Sequence, residues 1–207
     1  YEHSFLIKSS ESPFMMYDEF SFLGDLYFDG SSLHASGELS SPYFYNKSFH
    51  YYFTKDNIMS ADAYFKLFNQ SDVTQFITEG VSLEYDLVSN SILLHRSDLP
   101  FSLPLIQYES FFEFVTFDIS VSELQFHSNK NDGLLTSYRY GKDSFSCQSL
   151  GATYYLNSNT LCVYNIFPLS IKGFWVQPAN NEVCIDSKGD FPIFNNATLI
   201  KKRFLFS

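Results

Sequence analysis

Between Gly24 and Leu67 the chain alternates aromatic and polar residues in short bursts, each closed by a small or turn-forming residue. The runs LYFDG (Leu26, Phe28), FHYYF (Phe49, Tyr51, Phe53), DAYFKL (Ala63, Phe65, Leu67) and VSLEYDL (Val81, Leu83, Tyr85, Leu87) all have a period of two. That period places one set of side chains on a buried face and the other toward solvent, so each run predicts a strand. Weaker copies follow at Phe117 to Phe126, Thr153 to Leu156, Thr160 to Val163, Ser170 to Val176 and Glu182 to Ile185. Helical spacing is weak throughout, and FFEFVTF reads as strand because it is β-branched and aromatic.

Turn chemistry separates the runs. Asp29-Gly30, Lys55-Asp56-Asn57, Ser89-Asn90, Asn157-Ser158-Asn159, Asn180-Asn181 and Lys188-Gly189-Asp190 supply residues that accept positive φ. The expectation is an all-β fold: a stacked antiparallel β-jellyroll or β-solenoid of short strands with little or no helix. A loose self-similarity among GSSLHASGEL, SADAYFKLF, EGVSLEYDL and NNATLIKKRFL favours stacked units. Pro100 and Pro104 interrupt the rhythm, since proline cannot donate to a ladder. They suggest a link or edge between a first array, residues 1–99, and a second, residues 100–207, which together read equally well as one domain.

Composition narrows the function classes. In 207 residues, 24 Phe and 15 Tyr supply a large core, and the formal net charge is −10. A surface of that sign repels phosphate backbones, so nucleic acid is set aside as a partner. The basic cluster Lys201, Lys202 and Arg203 reads as a solvated edge. No apolar run approaches the ~20 residues that cross a bilayer as a helix, so no transmembrane segment is expected. The chain opens at Tyr1 straight into a strand-like run, which suggests a piece excised or processed from something longer. Cys147, Cys162 and Cys184 fit no zinc-ligand spacing and read as small buried fillers. One bridge among them stays open if the compartment is oxidising.

The run from Gly24 through Asn69, then FITEGVSLEYDL, PFSLPLIQYESFFEFVTFDISVSELQF and the segment from Asp143 through Gly189, resembles large uncharacterised envelope proteins of Bacteroidota. Those are similar to the organic-solvent-tolerance and lipopolysaccharide-transport β-jellyroll family. The words that carry the resemblance are GDLYF-x-G-x-x-L-x-A-x-G, QYESFFEFVTFDI and IKGFWVQPANNEV. It implies a stacked β-roll outside the cytoplasm, in the periplasm, at the outer membrane or on the cell surface. It also implies an apolar interior that accepts acyl chains in the lipid-transport relatives, a bridging role and no enzymatic activity.

Candidate chemistry is sparse. The five histidines, His3, His34, His50, His95 and His127, are dispersed and form no HExxH pair. Asp25 with Asp29, and Asp186 with Asp190, lack a calcium-loop pattern and read as turn caps. Glu109 and Glu113 on one strand would stand roughly 13 Å apart at ~3.3 Å per residue, too far for a glycosidase pair. No cofactor or metal is expected. GxSxG, P-loop and GxGxxG motifs are absent, and three Asn-x-Ser/Thr matches (Asn46, Asn69, Asn196) carry weight only in a eukaryotic secretory host. Trp175, flanked by Phe174 and Val176, reads as core, with a sugar-stacking platform as the alternative.

Two functions are therefore expected. The first is a non-enzymatic structural or bridging module of an envelope assembly, docking on other segments or subunits and contacting lipid through an apolar groove. Its core set is Phe28, Phe49, Phe53, Phe65, Tyr85 and Phe117. The alternative is a carbohydrate- or surface-binding module that uses exposed aromatics, with Tyr43, Tyr45, Tyr138, Tyr140 and Trp175 as candidates.

Overall fold

A computed structural model describes residues 4–17, 19–129, 133–138, 145–171, 174–190 and 196–201. It is β throughout except for one 3-10 turn, Ala179–Asn181. Six long strands come first: β1 (Phe5–Met16), β2 (Phe20–Phe28), β3 (Leu33–Ser40), β4 (Phe44–Phe53), β5 (Asn57–Phe68) and β6 (Thr74–Asp86). Short ones follow: β7 (Ser91–His95), β8 (Phe101–Leu103), β9 (Tyr108–Ser110), β10 (Phe114–Asp118), β11 (Glu123–His127), β12 (Gly133–Ser137), β13 (Ser146–Ser149), β14 (Gly151–Tyr155), β15 (Thr160–Tyr164), β16 (Leu169–Ile171), β17 (Phe174–Gln177), β18 (Glu182–Ile185) and β19 (Thr198–Lys201).

Sixteen strands form one antiparallel sheet in the order β1-β2-β3-β4-β5-β6-β7-β10-β11-β14-β15-β18, with a branch β8-β9-β12-β13 that starts from the first part of β6. β16, β17 and β19 make a separate small sheet. The large sheet is folded over upon itself and does not close into a barrel. A line of irregularities crossing the long strands makes the fold.

The inward face of β4 is read by Phe44, Asn46 and Ser48, then shifts by one to Tyr51 and Phe53. β5 shifts between Ser60 and Ala63, and β6 between Thr78 and Val81. The extra residues include Asp62 at φ 52° and Gly80 at φ 68°, which lets each strand bend without losing its apolar face. On β2 and β3 the same line passes through a paired glycine couple, Gly24 and Gly37. An added Cβ on either would overlap the backbone carbonyl of Ser36 or Leu23, so only glycine allows this approach.

Polar side chains point inward at this corner and bond the backbone groups the bends release. Ser48 Oγ donates to Ala61 O at 2.7 Å and accepts from His50 N at 3.0 Å. Asn46 Nδ2 donates to Tyr64 O at 3.0 Å, and the Tyr51 hydroxyl donates to Asn46. A buried amide so bonded avoids the cost of an unpaired polar group.

Bending brings opposite strand ends face to face. Phe20 and Phe44, beside the first turns, meet Tyr85 edge-on at 5.4 and 6.0 Å. Tyr17 OH donates to Thr54 O at 2.7 Å, and Phe126 of β11 meets Phe76 and Phe101. The core is one continuous cluster through both halves.

Several expectations change here. Phe49 is 70% exposed, not core, because it lies at the β4 bulge where the alternation reverses. Phe28 is only partly buried, whereas Phe53, Phe65, Tyr85 and Phe117 are buried as expected. The Pro100 to Pro104 segment carries β8, with Phe101 and Leu103 fully buried, rather than a link. Phe117 to Phe126 is not one strand but the β10–β11 hairpin, turned by Asp118, whose Oδ1 accepts from Ser120 N at 2.9 Å.

Cys162 and Cys184 sit directly opposite each other on β15 and β18 and are bridged, while Cys147 is free and buried. The filler reading therefore stands for Cys147 alone. Burial pushes its thiol up to about 12. Trp175 is 41% exposed on β17 and is not a core residue.

Candidate functional site: the mouth of the folded sheet

Where the strand ends meet, six turns converge: those at Glu19, 41–43 and 69–73 from one side, 87–90, 119–122 and 156–159 from the other. Gln75 ties the sides together, its Nε2 donating to Leu156 O at 2.6 Å and to Asn159 Oδ1 at 2.8 Å. Asn159 Oδ1 also accepts from Tyr154 OH at 3.1 Å, so this wall is fixed.

Two cavities lie in the mouth and share Tyr43 and Ile119 on their rims. One, of about 520 Å³, is lined by Asn69, Gln70, Ser71, Gln75, Ser122, Asn157 and Asn159 over a floor of Leu67, Phe117 and Leu156. No charged side chain lines it. The other, of about 540 Å³, is formed by Ser41, Pro42, Asn90 and Ser120 with Phe20, Phe44 and Tyr85, and Glu19 is its one carboxylate. Both volumes fall within the range of small-ligand sites.

Tyr43 stands between them, 53% exposed. Its backbone is held on both sides: Tyr43 N donates to Ser41 Oγ at 3.2 Å, and Phe68 N donates to Tyr43 O at 3.1 Å. A fixed backbone beneath an exposed ring makes a stacking platform that loses little conformational freedom on binding. Asn157 is exposed and lines the same cavity as Tyr43.

The other aromatic candidates are not brought here. Tyr45 lies on the outer face, edge-on to Tyr64 at 6.0 Å, and its phenol is pushed up to about 12 by burial and a hydrogen bond with Glu38. Tyr138 follows β12, with its amide on Gln107 O at 3.1 Å and its phenol raised by burial. Trp175 is on the small sheet. Tyr140, His3, Lys202 and Arg203 lie outside the described residues.

Asp29 and Asp186 act as turn caps, whereas Asp25 lies within β2 opposite Ser36. Asp29 Oδ1 accepts from Ser31 N and Ser32 N at 3.0 and 2.8 Å, and these bonds hold its pKa well below the usual carboxylate range. Asp186 accepts from Lys188 N at 3.0 Å. Glu113 Oε2 accepts from Asn129 N at 3.0 Å. Among the described residues, Cys162, Glu182 and Cys184 come close enough to hold a metal, but the two thiols are bridged. His95 and His127 flank Phe114 in a ladder, with centroids 5.8 and 5.3 Å from its ring.

Tyr43 was legible as a candidate. Its partners Gln75, Asn157 and Ile119 were not, because their turns are far apart in sequence. No family model matches the chain, and no curated protein matches it.

Proposed function

We propose that the protein is a non-enzymatic carbohydrate-binding β module whose mouth takes a neutral glycan. The observation that carries this reading is the uncharged, amide- and hydroxyl-lined cavity beside the exposed Tyr43 ring. Amides offer both a donor and an acceptor to sugar hydroxyls, and an aromatic face covers the apolar C–H side of a pyranose. A charged ligand would find only Glu19. The lining holds no pair of carboxylates for glycoside hydrolysis.

The test is a glycan array followed by calorimetry on any ligand found. Binding to a neutral glycan, lost by at least tenfold in Tyr43→Ala and Asn157→Ala, supports the reading. Silence across the array, or binding indifferent to both substitutions, removes it.

A second reading, a bridging module of an extracytoplasmic envelope assembly, is favoured by the sheet's edges. Among the described residues β1 and β18 end the sheet, each paired on one side only, and β1 exposes Phe5, Leu6 and Ile7. Unpaired edges with apolar side chains are templates for another chain's strand. Of the aromatics expected to carry an apolar groove, Phe53 packs against Phe22 and Tyr51, and Phe65 against Phe44 and Phe76.

A further inference from the structure

We propose that Cys162, Cys184 and Glu182 form a binding site for zinc or a like divalent cation once the bridge between β15 and β18 is reduced. The two cysteines stand directly opposite each other on neighbouring antiparallel strands, and Glu182 lies two residues before Cys184, on the same face of β18. Their donor atoms all lie within 4.8 Å of one another. Glu182 Oε1 is 3.7 Å from Cys184 Sγ. A tetrahedral ion with bonds of ~2.3 Å to sulfur and ~2.0 Å to oxygen holds two unlike donors about 3.5 Å apart, so the carboxylate already stands at ligand spacing. Only the sulfurs must separate, to about 3.8 Å, a change that side-chain rotation supplies with the strand register kept.

The donor set selects the ion. Two thiolates and one carboxylate suit zinc and its like, whereas magnesium and calcium prefer oxygen alone. The register neighbours are Thr153, opposite Cys162, and Tyr164, opposite Glu182, and neither carries a positive charge. Cys184 and Glu182 are exposed, so an ion can enter from solvent and keep its fourth position open to water. Among the described residues β18 ends the sheet, so the ion takes over from the bridge in fastening this edge strand to β15.

Reduction opens the site by thiol–disulfide exchange. A dithiol attacks the exposed Cys184 sulfur and the Cys162–Cys184 bond breaks. Two electrons and two protons pass to the cysteines as the dithiol closes into its own disulfide. Binding the cation then releases both thiol protons.

The test uses the whole chain, with Co²⁺ as a spectroscopic stand-in for zinc. Protein reduced by a dithiol and then freed of it is expected to take up one Co²⁺, with thiolate-to-metal charge-transfer absorption and the visible bands of a tetrahedral ion, and Zn²⁺ should displace it. Oxidised protein should show neither, although its Cys147 thiol is free. Glu182→Gln should weaken Co²⁺ binding by about tenfold or more, and Cys184→Ser should abolish the charge-transfer band. With its bridge intact, Glu182→Gln should melt as the parent does, which excludes misfolding as the cause. Zn²⁺ should raise the melting temperature of reduced protein and leave that of oxidised protein unchanged.

Absence of the charge-transfer band after reduction, or equal binding by Glu182→Gln, overturns the proposal. So does Co²⁺ uptake by oxidised protein, or a reduced protein that unfolds and is not restored by Zn²⁺. Glycan binding at Tyr43 is read on the oxidised protein, so neither result decides the other.

Discussion

The first six strands and the strands after them solve one problem, enclosing an apolar face, in two ways. β1 to β6 are 8 to 13 residues long and each supplies both layers by bending at its middle. Strands β7, β10, β11, β14, β15 and β18 are four or five residues long, keep an unbroken register and supply one layer. A long strand needs bulges, glycine and buried amides to turn a corner, whereas a short one needs only its partner. The difference explains why Asn46 and Ser48 are buried at the corner of β4, where they bond backbone groups that the bend releases. Asn46 is fully buried and bonds backbone, while Asn157 is exposed at a cavity.

The sharpest way to break this contrast is Gly24→Val. It should cost more than ~3 kcal/mol or prevent folding, because the new side chain would overlap the β3 backbone. A urea midpoint like that of the parent would show that the corner does not depend on close backbone approach. In the short-strand region, removing the Cys162–Cys184 bridge by a double Ser substitution should cost about 3 kcal/mol, from the loop of 22 residues it closes. Chemical denaturation with and without reductant measures the same quantity in the parent.

Asn46→Ala should cost about 2 kcal/mol by leaving Tyr64 O and the Tyr51 hydroxyl short of a partner. A loss much smaller than that would place the bend's stability in the glycines and bulges alone.

His127 gives a weaker effect with a defined sign. Partial burial lowers its pKa, so the unfolded chain binds the proton more readily. Its contribution to stability is present above the ordinary histidine value of about 6.5 and is lost as pH falls through the folded-state value below it. His127→Gln should flatten that part of the stability profile, measured by thermal melts between pH 7 and 5, and the change should be small because the ring is only partly buried.

The smallest effect expected is at the mouth, where Tyr43→Ala should change stability by less than ~0.5 kcal/mol. A larger loss would move Tyr43 from the ligand's side of the comparison to the fold's.

Individual residues show where legibility stopped. Phe65 and Tyr85 were assigned to the core correctly because each follows its own strand's period beyond the bulge. Phe49 was not, because a bulge reverses the period and its position is set by pairing with β3. Phe174-Trp175-Val176 has the composition of a buried strand, but the strand falls on a small sheet outside the main stack. The cysteine pairing could not be chosen from spacing alone, since it required β15 and β18 to be neighbours.

What the sequence determined by itself was the period-two pattern, the turn residues and hence an antiparallel all-β chain with an acidic surface, because these follow from interactions within a few residues. Tertiary structure alone decided which turns meet. The corner through Gly24, Gly37, Asp62 and Gly80 brings Tyr43 opposite Asn157 and Ile119, because bending a ribbon at its middle joins its two ends. No local pattern encodes that contact, since it depends on the register of every strand between them.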